Sequence, residues 1–511
     1  MHIPLRRALA CAATAALAVG GVVVSTAHAT NTVAYAGSAA TAPAKQLVDD
    51  FNGDGYRDVV LNLRLRSTSS LNKSGAVMVL NGSASGLSST NRKLITEATS
   101  GVPGTAESTD WFGTATTTGD FDGDGYADLA VSAPGEDYVS GGTSWTDVGR
   151  VTLIWGGPEG LTRHGGAYVA LGTPSVQGRL AGMDLASGDF DGDGKQDLAV
   201  ADGRGGKAGT VLLGPFTRTG TPAAGRPMGV DTGAPFTYTQ LAAGDITGDG
   251  VSDLLVSYAT RVLGSTGKIH VLRGGAAGPT DAGHLKDAIG NPLIHREGEP
   301  LAIADVDRDG RGDTIVPEPF ANGYKGRFTV VHGGTNGQDP ARKPVSFDQD
   351  TPGVPDTNSD SGTDHFGGQV AVGDVNGDGY ADVIATSRAE NHSDLTNPGK
   401  ITVLRGGPGG LTGSGSTAFT QNTSGVPGVA IAEGAFGEGA KAVDTNGDGR
   451  AEALIGVLGT TAAGVGSHDG GLWVLPGSAT GTTATGSRAF APAALGLPDS
   501  SGLRVGSWFN R

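Results

Sequence analysis

Aspartate recurs in this chain at a spacing that suits metal ligation. In Asp120-Phe121-Asp122-Gly123-Asp124-Gly125-Tyr126-Ala127-Asp128 acidic side chains occupy positions 1, 3, 5 and 9, with glycine at positions 4 and 6. Oxygen donors on alternate residues of a tight loop can converge on one hard cation, and glycine at position 6 permits the sharp turn. Calcium suits such a donor set. It takes roughly six to eight oxygens in flexible geometry, a backbone carbonyl near position 7 among them.

The pattern occurs seven times, starting at Asp50, Asp120, Asp189, Asp245, Asp305, Asp374 and Asp444, so that successive starts lie 70, 69, 56, 60, 69 and 70 residues apart. One such loop is as easily a solvated acidic turn. Seven at a near-constant period are the mark of a repeat architecture. Repeats grow by adding units rather than by enlarging one core, so 511 residues need not mean several domains.

The elements that must carry these loops are short. An apolar run follows each loop, as in Leu129-Ala130-Val131, Leu198-Ala199-Val200, Leu254-Leu255-Val256 and Val383-Ile384-Ala385. Runs of this length bounded by Gly, Pro and Asp predict strands rather than helices. A second run comes after a loop of variable length (Arg150–Trp155, Thr210–Leu213, Lys268–Arg273, Arg327–His332, Lys400–Arg405 and Gly471–Leu475), and most of these end in a Gly-Gly or Gly-Pro turn. A further strand, and the run into the next loop, complete about four strands per unit. Four antiparallel strands repeated about an axis make a β-propeller, and seven lies within the usual range of about four to eight blades. The expected fold is therefore all-β, a seven-bladed propeller of four-stranded antiparallel blades. A linear β-solenoid has much shorter repeats.

A Phe-Gly pair precedes several loops: Phe112-Gly113, Phe366-Gly367 and Phe436-Gly437, with degenerate versions at Ala181-Gly182 and Glu297-Gly298. Ser132-Ala133-Pro134 follows the second loop. Phe-Gly, the acidic nonapeptide and a small-residue turn together resemble the FG-GAP repeat family, the seven-bladed amino-terminal propeller of integrin α subunits and its secreted bacterial relatives. The resemblance covers residues 45–511. The fourth repeat has Tyr238 where the glycine would stand, so its inner strand is the one the pattern marks least.

The resemblance implies side-chain ligands from loop positions 1, 3, 5 and 9 and a carbonyl ligand from position 7. The metal residues are then Asp50, Asn52, Asp54, Tyr56 and Asp58; Asp120, Asp122, Asp124, Tyr126 and Asp128; Asp189, Asp191, Asp193, Lys195 and Asp197; Asp245, Thr247, Asp249, Val251 and Asp253; Asp305, Asp307, Asp309, Arg311 and Asp313; Asp374, Asn376, Asp378, Tyr380 and Asp382; and Asp444, Asn446, Asp448, Arg450 and Glu452. Up to seven calcium ions are expected. The loops at Asp120, Asp189 and Asp305 carry four carboxylates each, and Asn52, Asn376 and Asn446 reduce three others to three. Thr247 is a poorer donor, so the Asp245 loop is expected to be the weakest. Glu452 at position 9 offers a longer, bidentate reach. Arg311-Gly312-Asp313 spells an integrin-recognised tripeptide, but Asp313 is position 9 of its loop and is expected to face the metal, not a partner.

Residues 1–29 read as an export signal: Arg6 and Arg7, an apolar stretch from Ala8 to Val24, and the cleavage pattern Ala27-His28-Ala29. Arg6-Arg7 also suits a twin-arginine signal. Residues 30–44 are small and polar and are expected to be a disordered lead-in, with the propeller spanning 45–511. The single cysteine, Cys11, lies within the signal. Disulfides therefore cannot hold the exported chain, and bound metal is the expected substitute. Loss of Arg6 and Arg7 takes the net charge from -16 to -18; 24 of the 52 acidic residues lie in the seven loops, and seven calcium ions would bring the net charge to about -4. The acidity is ligand supply. Nucleic acid and membrane partners are not expected, and the mature chain is expected to be a secreted monomer.

At the other end of the chain, Val505-Gly506-Ser507-Trp508-Phe509-Asn510-Arg511 resembles the inner strand that the first loop lacks, so this segment is expected to complete the first blade.

No HExxH, no GxSxG and no thiol nucleophile are present. The histidines show no paired metal spacing. The leading expectation is a non-catalytic binding or adhesion module for an extracellular protein or glycan. The alternative is a carbohydrate-active or phosphoester-cleaving hydrolase or lyase, which needs only two acids placed by the fold. Ligand contacts are expected on the longer loops, at Tyr138, Trp145 and His392, opposite the calcium loops.

Overall fold

A computed structural model describes residues 47–68, 70–140, 142–172, 176–233, 236–260, 266–296, 299–356, 362–459, 469–497 and 502–510. The expected signal (1–29), the lead-in (30–44), Glu297-Gly298 and His468 lie outside the described residues.

From Leu47 onward the chain is all-β, with seven antiparallel blades in a ring. The four-residue helix Ala321–Tyr324 is the only helix among the described residues. Blade 2 is typical: Thr116–Gly119 pairs with Asp128–Ala133, which pairs with Arg150–Ile154, which pairs with Gly166–Tyr168. The acidic loop joins the first strand to the second. Burial sorts the strands by position. Second strands such as Asp128–Ala133 and Asp382–Ser387 are buried at every residue, because neighbouring blades cover both faces, and they read as continuous apolar runs. Outer strands such as Ala224–Pro227 are exposed throughout.

The hydrophobic cores lie between blades rather than at the axis. One contains Val60, Val77 and Ile95 of blade 1 with Phe112, Leu129, Val131 and Ile154 of blade 2. Phe112 and Phe366 are fully buried in two seams of this kind, and each forms a parallel bridge to a glycine of the preceding blade, Gly75↔Phe112 and Gly326↔Phe366. The approach is close enough that a Cβ on Gly75 would lie 2.1 Å from the Phe112 carbonyl oxygen. The Phe-Gly pair is thus a blade-to-blade fastening. Emptying such an aromatic seat costs about 3–5 kcal/mol.

Blade 1 is closed by the far end of the chain. Its strands Val59–Asn62, Val77–Leu80 and Arg92–Ile95 receive a fourth neighbour through a bridge between Leu61 and Phe509. The Asn62 N–H donates to Trp508 O at 3.0 Å, and the Asn510 N–H to Val60 O at 3.2 Å. Val505 takes the Phe position of this blade, bridging Gly470. The expected closure is present. The inner strand of blade 4, which lacks the Phe-Gly pair, is complete: Thr237–Gly244 pairs with Asp253–Thr260 along its whole length. Buried Leu241 anchors it, so pairing and packing compensate for the missing Phe-Gly.

The inner strands enclose an axial cavity of about 500 Å³, lined by Arg64, Asp184, Tyr238, Gln240, Lys441 and Trp508 among others. Among the described residues no helix is long and apolar enough to cross a membrane.

Candidate metal centres

Each acidic loop is built by its own position 1. In blade 2, Asp120 Oδ1 accepts the Gly123 N–H at 2.7 Å and the Asp124 N–H at 3.0 Å, while Oδ2 accepts the Gly125 N–H at 3.1 Å. Asp50, Asp189, Asp245, Asp374 and Asp444 likewise accept the N–H of the glycine at position 6 of their loops, at 2.7–2.9 Å. The position 5 carboxylate accepts the N–H of position 7, as Asp124 does from Tyr126 at 3.1 Å. Position 9 is the deepest: Asp128 accepts the Phe121 N–H at 2.9 Å and, from the turn after the third strand, the Gly156 N–H at 2.8 Å. Local turns thus curl the loop, and position 9 ties it to its blade.

These bonds leave carboxylate oxygens converging. Oxygens of Asp120, Asp122 and Asp128 lie within 4.8 Å of one another, and the same holds for Asp189, Asp191 and Asp197 and for Asp305, Asp307 and Asp309. Burial pushes the carboxyls of Asp58 and Asp128 up to about 8 and those of Asp197 and Asp382 up to about 6. Burial also raises Asp253 and Glu452. Clustered oxygen donors that resist ionisation alone are what a hard cation would hold ionised. The donor set fits calcium, with positions 1, 3, 5 and 9 as the residues that would hold it.

Position 7 side chains do something else. A Cβ on Gly53 would lie 2.6 Å from the Tyr126 ring, one on Gly248 2.9 Å from Arg311, and one on Gly447 3.2 Å from the Tyr56 ring. Gly192 against Val251 and Gly377 against Arg450 repeat the arrangement. At these five places the position 7 side chain of one loop lies over position 4 of the loop before it, and Tyr56 against Gly447 carries the contact across the closure; Lys195 makes no such contact with Gly123. Between blades 5 and 6, where position 4 is Arg308 rather than glycine, its guanidinium stacks 5.6 Å from the Tyr380 ring instead.

Glu452 is engaged within its own loop: Oε1 accepts the Asn446 amide at 2.7 Å, and Oε2 accepts both the N–H and the hydroxyl of Thr445. Asp313 is 1% exposed and accepts the Gly333 N–H at 3.0 Å, so the Arg-Gly-Asp triplet presents no free carboxylate. Some participants escape sequence reasoning. His332 Nδ1 lies 3.0 Å from Asp313 Oδ1 and 3.8 Å from Asp307 Oδ2, which brings a histidine into a centre where the spacing of histidines along the chain indicated none. Arg218 reaches back from blade 3 to Asp124 at 2.7 Å, and Arg342 pairs with Asp307. Their signal lay only in falling after the third strand, a register visible once the blades are aligned.

The expected ligand residues lie at the other end of the blades, since second-to-third-strand loops are antiparallel to the acidic ones. Tyr138–Ser140 and Thr143–Trp145 form a hairpin in which Tyr138 faces Trp145. Tyr138 carries the Arg150 guanidinium 4.4 Å from its ring and borders a cavity of about 290 Å³ with Leu171 and Arg179. His392 is 9% exposed, its Nδ1 3.2 Å from Ser393 Oγ and its Nε2 3.2 Å from Gly399 O. The structure does not bring these three side chains together.

Seven blades, each with an acidic loop between its first two strands, make a seven-bladed β-propeller, and its repeats are similar to those of integrin α chains. The family description "FG-GAP repeat" matches residues 112–154 and 366–404, and "FG-GAP-like repeat" matches 189–256. The chain carries FG-GAP repeats. It is 31% identical over 222 residues to integrin alpha-PS2 of Drosophila melanogaster, covering 40% of this chain and 15% of that protein. It is 32% identical over 151 residues to integrin alpha-IIb of Homo sapiens, covering 29% of this chain and 14% of that protein. The chain thus spans about one seventh of the length of the curated relatives it matches. Similar solved structures include a Photorhabdus luminescens Tc holotoxin pore (16% identity, 70% of this chain and 15% of that chain, TM-score 0.32). Another is the rhamnogalacturonan lyase YesW (16% identity, 71% of this chain and 64% of that chain, TM-score 0.24).

Proposed function

We propose that this chain is a secreted, calcium-stabilised binding module, with calcium held in the acidic loops and an extracellular protein or glycan bound at the opposite end of the ring. The observation that carries the reading is the convergence of the loop carboxylates in a chain whose FG-GAP repeats resemble those of integrin α chains. A loop whose position 9 acid is buried among like charges gains its ordered form from the ion, so metal binding and folding are coupled. The end away from the loops offers the Tyr138–Trp145 hairpin and the adjoining cavity, an aromatic and arginine surface suited to a sugar or a peptide.

Two measurements test this. Thermal unfolding followed by circular dichroism should shift to markedly lower temperature in chelator and recover with calcium; an unchanged transition would remove the calcium reading. A glycan and protein array run beside a polysaccharide substrate panel should give binding without turnover. Product release would mean that the chain is an enzyme.

A further inference from the structure

Outside the acidic loops, three more carboxylates meet in the seam between blades 1 and 2. Glu97 lies just past the outer strand of blade 1, Asp110 just before Phe112, and Glu136 just past the second strand of blade 2. They come from separate segments, yet ligand oxygens of all three lie within 4.8 Å of one another, and all three residues are buried. Glu97 is 3% exposed, and both of its carboxylate oxygens are buried without a hydrogen-bond partner. Glu136 gives one oxygen to the Tyr168 hydroxyl at 3.1 Å and leaves the other buried and unpartnered. Asp110 accepts the Glu107 N–H. No ion pair among the described residues reaches the three acids. Arg150, whose charge acts on Glu136, makes no ion pair with the three acids and has its guanidinium 4.4 Å from the ring centres of both Tyr138 and Tyr168.

The same place in another seam shows what ordinarily occupies it. Between blades 5 and 6 the positions of Glu97, Glu136 and Arg150 are taken by Gln349, Glu390 and Lys400. The backbone is the same: the N–H groups of Thr96 and Asp348 each donate to the hydroxyl of the threonine three residues on, and those of Glu136 and Glu390 each donate to the carbonyl three residues before. There, however, the Gln349 amide donates to Glu390 at 2.7 Å, and Lys400 pairs with it at 2.9 Å. One acid is replaced by a donor, and a buried ammonium supplies the counter-charge. The blade 1–2 seam has Glu97 in place of the donor, and its cation, Arg150, acts on Glu136 without forming an ion pair.

We propose that Glu97, Asp110 and Glu136 bind a divalent cation of the calcium type at the blade 1–2 seam, as a centre separate from the acidic loops. Three carboxylates supply only hard oxygen donors, and three buried acids facing one unpaired guanidinium are disfavoured as anions unless a cation joins them. The ion would join segments of two blades and brace the seam that Phe112 fastens.

The test uses the whole chain with calcium. Native mass spectrometry should find one ion fewer on Glu97→Gln, which installs the glutamine of the other seam, than on the parent chain. Asp120→Asn, in a loop, serves as a control for loss elsewhere. Crystals of the parent chain soaked in manganese should show an anomalous peak between Glu97, Asp110 and Glu136, a measurement that stands even if the variant does not fold. Equal stoichiometry in parent and Glu97→Gln, or anomalous peaks in the loops with none at the seam, would overturn the proposal while leaving the loop reading intact. A parent chain that binds no ion at all would remove both.

Discussion

Ending the chain at Ser507 removes the neighbour that Trp508–Asn510 supplies to blade 1, and the cost can be worked from the bonds lost. The Asn62 N–H loses Trp508 O, and the Val60 carbonyl and N–H lose the Asn510 N–H and Oδ1. At about 1 kcal/mol each these amount to about 3 kcal/mol. Two charged groups lose partners as well: Asp49 loses the Asn510 amide at 3.0 Å, and Lys441 Nζ loses Asn510 O at 3.0 Å. Asp49 keeps the Thr118 hydroxyl, and each of these two lost bonds to a charged group adds about 1–3 kcal/mol. The total, roughly 5–9 kcal/mol, rivals the whole stability of a typical domain, about 5–15 kcal/mol. Urea unfolding at fixed calcium, followed by tryptophan fluorescence, should show the truncated chain unfolded or its midpoint far lower. Asn510→Ala, which keeps the backbone bonds and loses only the side-chain ones, should fall between, near ~2 kcal/mol. A truncated chain with an unchanged midpoint would refute the closure argument.

Two further outcomes follow from buried charge. Lys400 and Glu390 are 0% and 1% exposed at the side chain, so Lys400→Met, which strands the acid, should cost about 3–5 kcal/mol in denaturant unfolding, and Lys400→Met with Glu390→Met should recover much of it. Burial pushes Glu299 up to about 8 from its ordinary 4.5. Its folded form thus holds a proton that the unfolded form releases, so the stability it contributes is complete below pH 4.5 and is lost as pH rises towards 8. Glu299→Gln should therefore gain on the parent across that window, and a pH-independent difference between the two would contradict the argument.

The loops were legible from sequence because the turn imposes its own spacing. Asp120 must reach the N–H groups of Gly123, Asp124 and Gly125, and Asp128 that of Phe121, whatever blade surrounds them. The fold followed from the period, and the terminal closure from the likeness of Val505-Gly506 to the other blade starts. Contacts between segments distant in sequence were not legible. Arg218 and the Glu97, Asp110 and Glu136 group join different blades, His332 reaches the loop from the end of its own blade's third strand, and no local pattern marks them. The role of position 7 was hidden for a related reason. Tyr126, Val251 and Arg311 share no chemistry; they share only a place over the glycine or turn of the preceding loop. Blade 4 carries no Phe-Gly mark, because Tyr238 stands at the glycine position and the strand there needs only its ladder and Leu241.

At five seams a glycine (Gly75, Gly149, Gly326, Gly399 or Gly470) stands against the backbone of Phe112, Ala181, Phe366, Phe436 or Val505. The second set varies from aromatic to methyl, because it fills space that neighbours can partly take up. At these five seams the first member is glycine throughout, because a side chain there would overlap main-chain atoms of the next blade. Blade 3 has Lys207 at this place and is complete all the same, so the close approach fastens five of the seams and the ring needs no uniform clasp.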